Sequence, residues 1–372
     1  PTFQLYYWNV GVGDNGSRIE TEYVFPADGY YRMACKANPA NWLSVSDDAS
    51  RLTTVAGTNI ATGSELAYAE PSTVWRITEQ SDLTYRLTSR GVSAASATGT
   101  AAFIPTTAGG RAAQGFSLIH MEDDTWTIRL GSAEDMYIVN SESQKETDFA
   151  SGVVTGSQAD AGNSARWYIF TADDFYLPLT QTDASGATYA AAYLPFGYVL
   201  PSDADGYTVT VNETDATAEA HKLQADVPAS TAVLVVSPEG SETALVKITT
   251  TPRTILDSNL HSSNQLNGTF IDADAADRDF ALVFSGTPAA FFPVSSVLSD
   301  GKLRAYTAFL PSSAVPQTAT ALPLSGIDMS ATSVDTPVLC GDASSIYDLQ
   351  GRRVAKAQKG IYIIGGKKKI VR

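Results

Sequence analysis

The chain has 372 residues and a formal charge of −15 at neutral pH, which comes from 40 acidic and 25 basic side chains. This length predicts two or three domains, and an acidic body disfavours binding to the phosphate backbones of nucleic acids. No apolar run approaches the roughly 20 residues that span a bilayer, and the clusters of Thr, Ser, Gly and Tyr favour short strands over long helices.

Residues 1–28 are predicted to be a lead-in or the remnant of an upstream region. The sequence begins at Pro1 rather than Met, so we expect that an export signal or upstream domains were removed.

The next region repeats a pattern three times. Three predicted strands open with an aromatic residue, at Tyr31, Tyr85 and Trp126, and three more open in the same aromatic, polar, aliphatic order, at Trp75, Phe116 and Trp167. The step from Trp75 to Tyr85 equals the step from Phe116 to Trp126, and it has the length of a strand, a turn and the next strand. A further aromatic recurs in the outer units, whereas Ala95 and Ser96 stand at that spacing in the middle unit.

Three copies of a four-strand unit cannot each bury a face alone, but together they can close a barrel and cap it. We therefore predict an all-β fold with a β-trefoil over residues 29–171. On the strand pairs given above, this stretch resembles the ricin-type β-trefoil family. That resemblance implies a lectin-like, carbohydrate-binding module. The family's Gln-x-Trp signature is incomplete, because Trp75 and Trp167 lack the Gln, and Gln114 is followed by Phe116 instead.

Trp42 and Tyr137 are the candidate ligand-binding residues. Each stands beside a core aliphatic residue on its strand, so its ring is expected to point outward, where it could stack on the apolar face of a sugar. Packing against a neighbouring strand is the alternative role for an aromatic residue at this position.

A second module is predicted over residues 172–330, after the polar turn Thr171–Asp174. Residues 207–211 alternate as a half-buried strand, while the apolar run 232–236 suits the interior of a β-sandwich. Three stretches resemble a β-sandwich module common in secreted and surface proteins of Gram-negative bacteria with type IX secretion: residues 194–196, 227–233 and 308–311.

Residues 331–372 are predicted to be a linker and a C-terminal tail. Residues 345–354 and 359–364, followed by a Lys cluster, resemble the C-terminal sorting tail of type IX secretion substrates. They are expected to form a small hairpin of two short strands. The resemblance implies the secretion machinery as a partner, and an extracellular or outer-surface location on a Gram-negative bacterium. A basic, solvated terminus without a sorting role is the alternative.

No catalytic, cofactor or metal site is predicted from the sequence. The residues His120, His221 and His261 lie neither in a nucleophile-elbow pattern nor at metal spacing, and Cys35 and Cys340 fall in different modules. The acidic cluster Asp272, Asp274, Asp277 and Asp279 misses the calcium-loop consensus and is expected to be a surface loop. A catalytic pair of carboxylates stays open, because sequence does not show their separation.

The sequence thus predicts a non-catalytic secreted or cell-surface protein, a glycan-binding or adhesion accessory module. The main alternative is a set of structural spacer modules from a larger exported enzyme, such as a glycoside hydrolase, with its catalytic domain outside this sequence. A further alternative is a trefoil that blocks proteases with the stretch 96–114.

Overall fold

The structure is a computed structural model, and the secondary structure of its described residues is almost entirely β-strand. It contains two compact units, Pro1–Ile327 and Asp328–Arg372. The structure describes residues 28–47, 52–56, 70–80, 84–90, 92–96, 103–107, 115–121, 123–130, 137–140, 153–156, 162–253, 263–276, 278–283, 289–327, 346–347, 353–354, 360–364 and 367–371.

The first twelve strands belong to the predicted trefoil region. They are β1 (Gly29–Cys35), β2 (Asn41–Val45), β3 (Leu52–Ala56), β4 (Trp75–Glu79), β5 (Tyr85–Ser89), β6 (Val92–Ser96), β7 (Phe103–Thr107), β8 (Phe116–His120), β9 (Trp126–Leu130), β10 (Tyr137–Asn140), β11 (Val153–Gly156) and β12 (Arg166–Thr171). Short 3-10 turns at Pro71–Thr73 and Gly162–Ala165 precede β4 and β12.

Six of these strands close a barrel, and the other six form a cap. Antiparallel pairing runs from β1 through β4, β5, β8, β9 and β12 and back to β1. The hairpins β2–β3, β6–β7 and β10–β11 each pair with one barrel strand, and β3, β7 and β11 contact one another. A closed six-stranded barrel capped by three hairpins is the β-trefoil arrangement that the sequence predicted.

The strand register confirms the threefold repeat residue by residue. The directly opposed residues in the three repeats are Tyr31 and Trp75, Tyr85 and Phe116, and Trp126 and Trp167. The six aromatic residues therefore hold equivalent places around one barrel. All six are buried, and they form a single core together with the aliphatic residues two positions further along each strand.

Two tryptophans tie the cap to the barrel. The indole N–H of Trp75 donates to the Leu43 carbonyl at 2.9 Å, and that of Trp167 donates to the Ile138 carbonyl at 3.0 Å. Both acceptors lie in cap hairpins. The middle repeat has Phe116 at this place, and a phenyl ring cannot make the bond.

The hairpin of the middle repeat starts earlier than its spacing suggested. In the three repeats the opposed residues where barrel meets hairpin are Ala34 and Trp42, Thr88 and Ser93, and Arg129 and Tyr137. Ser93, rather than Ala95 or Ser96, thus takes the place of the missing aromatic residue. The connection between β5 and β6 is shorter than those between β1 and β2 and between β9 and β10. A fixed spacing between aromatic residues therefore places the middle hairpin too late in the sequence.

The second module continues the same compact unit. Its strands are β13 (Asp174–Pro178), β14 (Gln181–Thr182), β15 (Thr188–Tyr193), β16 (Gly197–Val199), β17 (Asp205–Asn212), β18 (Thr217–Lys222), β19 (Ala232–Ser237), β20 (Thr243–Thr249), β21 (Asn267–Thr269), β22 (Ala273–Asp274), β23 (Phe280–Val283), β24 (Ala290–Pro293), β25 (Lys302–Leu303), β26 (Thr307–Phe309) and β27 (Leu322–Ser325). A single helical turn, Val294–Val297, follows β24, and a 3-10 turn spans Ser312–Ala314.

Two sheets pack face to face in this module, as a β-sandwich requires. The sheet β13-β20-β16 covers one face of β15 and β19, and the apolar run of β19 is buried along its whole length. The ten-stranded sheet that contains β15 and β19 also curls, which was not predicted. Phe280 and Leu310 exchange backbone hydrogen bonds of 2.9 Å and so bring β23 beside the end of β26. The concave face encloses a second core.

A buried arginine joins the trefoil to the second module. Arg90 follows β5 with a left-handed φ of 49° and is 4 % exposed. Its guanidinium donates to the Phe270 carbonyl at 3.1 Å and to Asp47 at 2.9 Å, and it lies 4.8 Å from the centre of the Tyr306 ring. Burial raises the pKa of Tyr306, so this ring stays neutral beneath the cation.

The second compact unit contains a four-stranded antiparallel sheet rather than a hairpin. Its strands are β28 (Ile346–Tyr347), β29 (Arg353–Val354), β30 (Gly360–Ile364) and β31 (Lys367–Val371), in the order β29-β28-β30-β31. The first predicted stretch, 345–354, contains both β28 and β29, and the second, 359–364, contains β30. The Lys cluster lies in β31, where Lys369 is opposite Tyr362. The unit begins at Asp328, close to the predicted boundary at residue 331.

No helix among the described residues is long and apolar enough to cross a membrane. Cys35 is a buried free thiol, and Cys340 lies outside the described residues.

Candidate functional site

Three aromatic side chains lie against one another on the outer face of the trefoil barrel. Phe170 is 37 % exposed, and its ring lies 6.2 Å from that of Tyr168, with 28° between the planes. On the other side its ring lies 6.2 Å from that of Trp42. We name Trp42, Tyr168 and Phe170 the aromatic patch.

The alternation of β12 puts two of these rings on the surface. Trp167 and Ile169 point into the barrel core, so Tyr168 and Phe170 must face the opposite way. The neighbouring strand β1 places Ala34 opposite Tyr168. Trp42 is the residue paired with Ala34 on the opposite side of β1, and the short alanine side chain leaves room for its ring. The patch therefore joins the last strand of the trefoil to its first hairpin.

The aromatic patch occurs in only one of the three repeats. In each repeat, one residue lies directly opposite the first aromatic residue. Thr78, Ile119 and Phe170 each come immediately before that residue, so Thr78 and Ile119 are equivalent to Phe170. By the same register, Arg76 and Ser117 are equivalent to Tyr168. The barrel core is threefold because equivalent positions must be filled by large apolar side chains. The outer face is not threefold, so packing of the barrel does not explain Tyr168 and Phe170.

Both predicted ligand residues are buried, so the expectation that their rings reach solvent is wrong. Trp42 is 4 % exposed and Tyr137 is 7 % exposed. Each does face away from the barrel core, but another side chain covers it: Phe170 lies against Trp42, and Ile119 packs against Tyr137. Of the two, Trp42 lies beside an exposed ring, that of Phe170. As ligand contacts, both residues stay a prediction.

A charged cluster lies at one end of the patch. Asp123 accepts hydrogen bonds from Lys36 and Thr125, and its carboxylate lies 2.9 Å from the Arg166 guanidinium. Arg166 is two residues before Tyr168 on the same face of β12, about 7 Å along the strand. Hydrogen bonds from Lys36 and Thr125 hold the pKa of Asp123 well below its usual range. The carboxylate is therefore ionised at neutral pH and can accept further hydrogen bonds.

An exposed ring beside fixed donors and acceptors suits a saccharide. Sugar rings have one face of C–H groups, which packs on an aromatic ring, and an edge of hydroxyls that both donate and accept. Phe170 and Tyr168 offer the apolar contact, while Arg166, Lys36 and Asp123 offer polar groups with some exposure.

The remaining candidates have structural partners. His221 shares a hydrogen bond of 2.7 Å with Thr210, and the His120 ring lies edge-on to Trp126. Asp279 accepts backbone hydrogen bonds from Ala276 and Ser312, at 2.9 Å each. His261 and Asp277 lie outside the described residues. Within the described part of the chain, no three acidic, His or Cys side chains gather where they could hold a metal ion.

Tyr168 and Phe170 were missed as site residues, although the sequence contains a signal for them. Once Trp167 and Ile169 are assigned to the core, the alternation predicts an outward face for the residues between and after them. Two large aromatics on an outward face are unusual. The contact of Phe170 with Trp42 could not be predicted from the sequence, because it joins positions that are far apart in the chain.

No family model matches the chain, and no curated protein matches it. Several solved structures are similar to it in part. A designed threefold-symmetric protein, ThreeFoil, aligns with a TM-score of 0.30 and 17 % identity over 38 % of this chain and 98 % of its own. A GlcNAcα1-4Gal-releasing endo-β-galactosidase from Clostridium perfringens aligns with a TM-score of 0.30 and 11 % identity, over 38 % of this chain and 32 % of its own. A mosquitocidal holotoxin aligns with a TM-score of 0.35 and 14 % identity, over 76 % of this chain and 40 % of its own. The trefoil assignment itself rests on the strand pairing.

Proposed function

We propose that the trefoil binds a glycan through the aromatic patch. The observation that carries this proposal is the stacked pair of the exposed Phe170 and the half-buried Tyr168, which occurs in one repeat out of three and is not needed by the barrel core. A solvated aromatic surface with ionised groups at its edge is a common way to hold a sugar ring.

Replacing Phe170 with Ala is expected to weaken glycan binding by up to about tenfold, since the stacking surface contributes roughly 0.5 to 1.5 kcal/mol. The measurement is a broad glycan screen, followed by titration of the best ligand with wild type and variant. Thr78→Ala is the matched control, because Thr78 is the equivalent residue of another repeat. Its affinity should equal that of wild type.

Two results would count against this assignment. One is a screen in which no glycan binds the wild-type chain. The other is a glycan whose affinity is the same for Phe170→Ala and Thr78→Ala, which would place its site elsewhere.

We further propose that binding occurs without catalysis by the described residues. A glycosidase needs a carboxyl group with a raised pKa to act as general acid. The carboxyl group beside the aromatic patch, that of Asp123, does not suit this role, because hydrogen bonds from Lys36 and Thr125 hold its pKa well below the usual range. Products from a polysaccharide incubated with the chain would contradict this proposal.

A second candidate function is that of a spacer within a larger exported protein. The contacts of Arg90 with Phe270 and Tyr306 favour it, because they hold the trefoil and the second module together. In this role the modules would present a neighbouring domain at a fixed distance. The glycan screen separates the two functions, since a pure spacer has no ligand.

We propose that the chain is exported and that the unit Asp328–Arg372 is its sorting tail. The support is the resemblance of residues 345–354 and 359–364 to sorting tails of type IX secretion substrates. A reporter with an N-terminal export signal and residues 328–372 at its C-terminus is expected to reach the surface of a bacterium with that pathway, and the same fusion without residues 346–371 is expected to stay inside. Equal export of both fusions would exclude the sorting role.

A further inference from the structure

A cavity lies where the trefoil meets the second module. Its volume is about 410 Å³, and its walls come from β13, β15, β23, β26 and the trefoil residues Glu70 and Pro71. Pockets that hold small organic ligands measure roughly 300 to 1,000 Å³, so this one is large enough. It is separate from the aromatic patch, because the two share no residue.

Alanine side chains leave this space open. The run Ala190–Ala192 lines the cavity from β15, and Ala281 and Ala308 line it from β23 and β26. Leu177 and Leu282 complete an apolar interior. A space of this volume holds several water molecules, yet water among such side chains finds few hydrogen-bonding partners. An apolar ligand of comparable size would gain by displacing it.

The charged residues of the cavity favour a positive ligand. Arg304 lines the cavity, but its guanidinium is bonded to Asp272 at 3.2 Å and to Asp300 at 2.6 Å, so this group of three carries a net negative charge. Glu70 lines the cavity as well and is 36 % exposed.

The cation nearest to Glu70 does not cancel the negative charge around the cavity. Arg90 lies 3.9 Å from Glu70, but it is bonded more closely to Asp47, at 2.9 Å. Glu70 and Arg304 are the charged residues that line the cavity, and Asp47, Asp272 and Asp300 are bonded to Arg90 and Arg304 beside it, so four carboxylates stand against two guanidinium groups. The carboxylates attract a cation and repel an anion.

We propose that this cavity binds a small organic cation with an apolar body. The apolar body lies among the alanine and leucine side chains, and the positive end lies toward Glu70 and the Asp272 and Asp300 pair. This site is distinct from the glycan site and does not depend on it, because Phe170 is not part of the cavity.

The test is a calorimetric titration of the full chain with octylammonium and with octanoate. These probes share an apolar chain and carry opposite charges, so they separate the apolar contribution from the electrostatic one. Octylammonium is expected to bind about tenfold more tightly, which corresponds to roughly 1.4 kcal/mol. Equal affinity, tighter binding of octanoate, or no binding of octylammonium would overturn the proposal.

Two variants locate the site, and a third serves as the control. Ala281→Leu narrows the cavity and is expected to weaken octylammonium binding several-fold, whereas Ala225→Leu, in a different cleft of about 660 Å³, should leave it unchanged. Asp300→Asn is expected to weaken octylammonium about fourfold without weakening octanoate. The Asp300 side chain is 41 % exposed and its substitution removes no apolar packing, so this variant decides the matter even if Ala281→Leu folds poorly. Wild-type affinity in both Ala281→Leu and Asp300→Asn would place the bound amine elsewhere.

Discussion

Replacing Trp167 with Ala is expected to lower the free energy of unfolding by about 4 kcal/mol, the largest effect that we predict for a single substitution. The ring is fully buried at the centre of the barrel core, so its removal leaves a cavity. It also removes the donor of the bond to the Ile138 carbonyl, which joins the cap hairpin to the barrel. Urea unfolding followed by far-ultraviolet circular dichroism measures the change.

Two further variants separate the packing of this ring from its hydrogen bond. Trp167→Phe keeps most of the apolar volume but leaves the Ile138 carbonyl without its donor, and it should cost about 2 kcal/mol. Phe116→Leu, in the repeat that lacks this bond, should cost about 1 kcal/mol by packing alone. If Trp167→Ala costs no more than Phe116→Leu, then Trp167 does not have the role in the core that we assign to it.

Replacing Arg90 with Met is expected to lower the free energy of unfolding by about 3 kcal/mol and to loosen the joint between the trefoil and the second module. The Phe270 carbonyl loses its charged donor, and Tyr306 loses the cation above its ring. Methionine retains much of the apolar stem. Differential scanning calorimetry should then resolve two unfolding transitions in place of one.

Asp47→Asn is the control for the Arg90 variant. The Asp47 side chain is 92 % exposed, so its bond with Arg90 is worth little, and the substitution should cost less than about 1 kcal/mol. If Arg90→Met is no more destabilising than Asp47→Asn, and one transition remains, then Arg90 does not hold the modules together.

The barrel could be predicted because its core obeys a local rule. Inward positions on a strand recur every second residue, and a closed threefold barrel requires large apolar residues at equivalent places, so Tyr31, Tyr85 and Trp126 reveal it directly. The hairpin of the middle repeat was misplaced by two or three residues, because Ser93 carries no aromatic ring to mark its register and a connection can shorten without changing the core.

The candidate site was predicted less well, for a reason of geometry. Alternation tells which residues leave the core, and it identified Trp42 correctly as one of them. It does not tell whether a residue from another strand covers the ring, and Phe170 does so from the far end of the trefoil. The contacts of Arg90 and the cavity at Ala281 are likewise formed between segments that are distant in sequence. Such contacts leave no periodic pattern.

The most direct test of the trefoil as a glycan-binding module is a map of ring signals during glycan titration. The chain is labelled with ¹³C in Phe and Tyr, and the best glycan from the screen is added to saturation. We predict that the signals of Phe170 and Tyr168 shift and that those of Tyr85 and Phe116, in the repeat without a patch, stay in place. A bound glycan that leaves Phe170 unchanged would contradict our assignment.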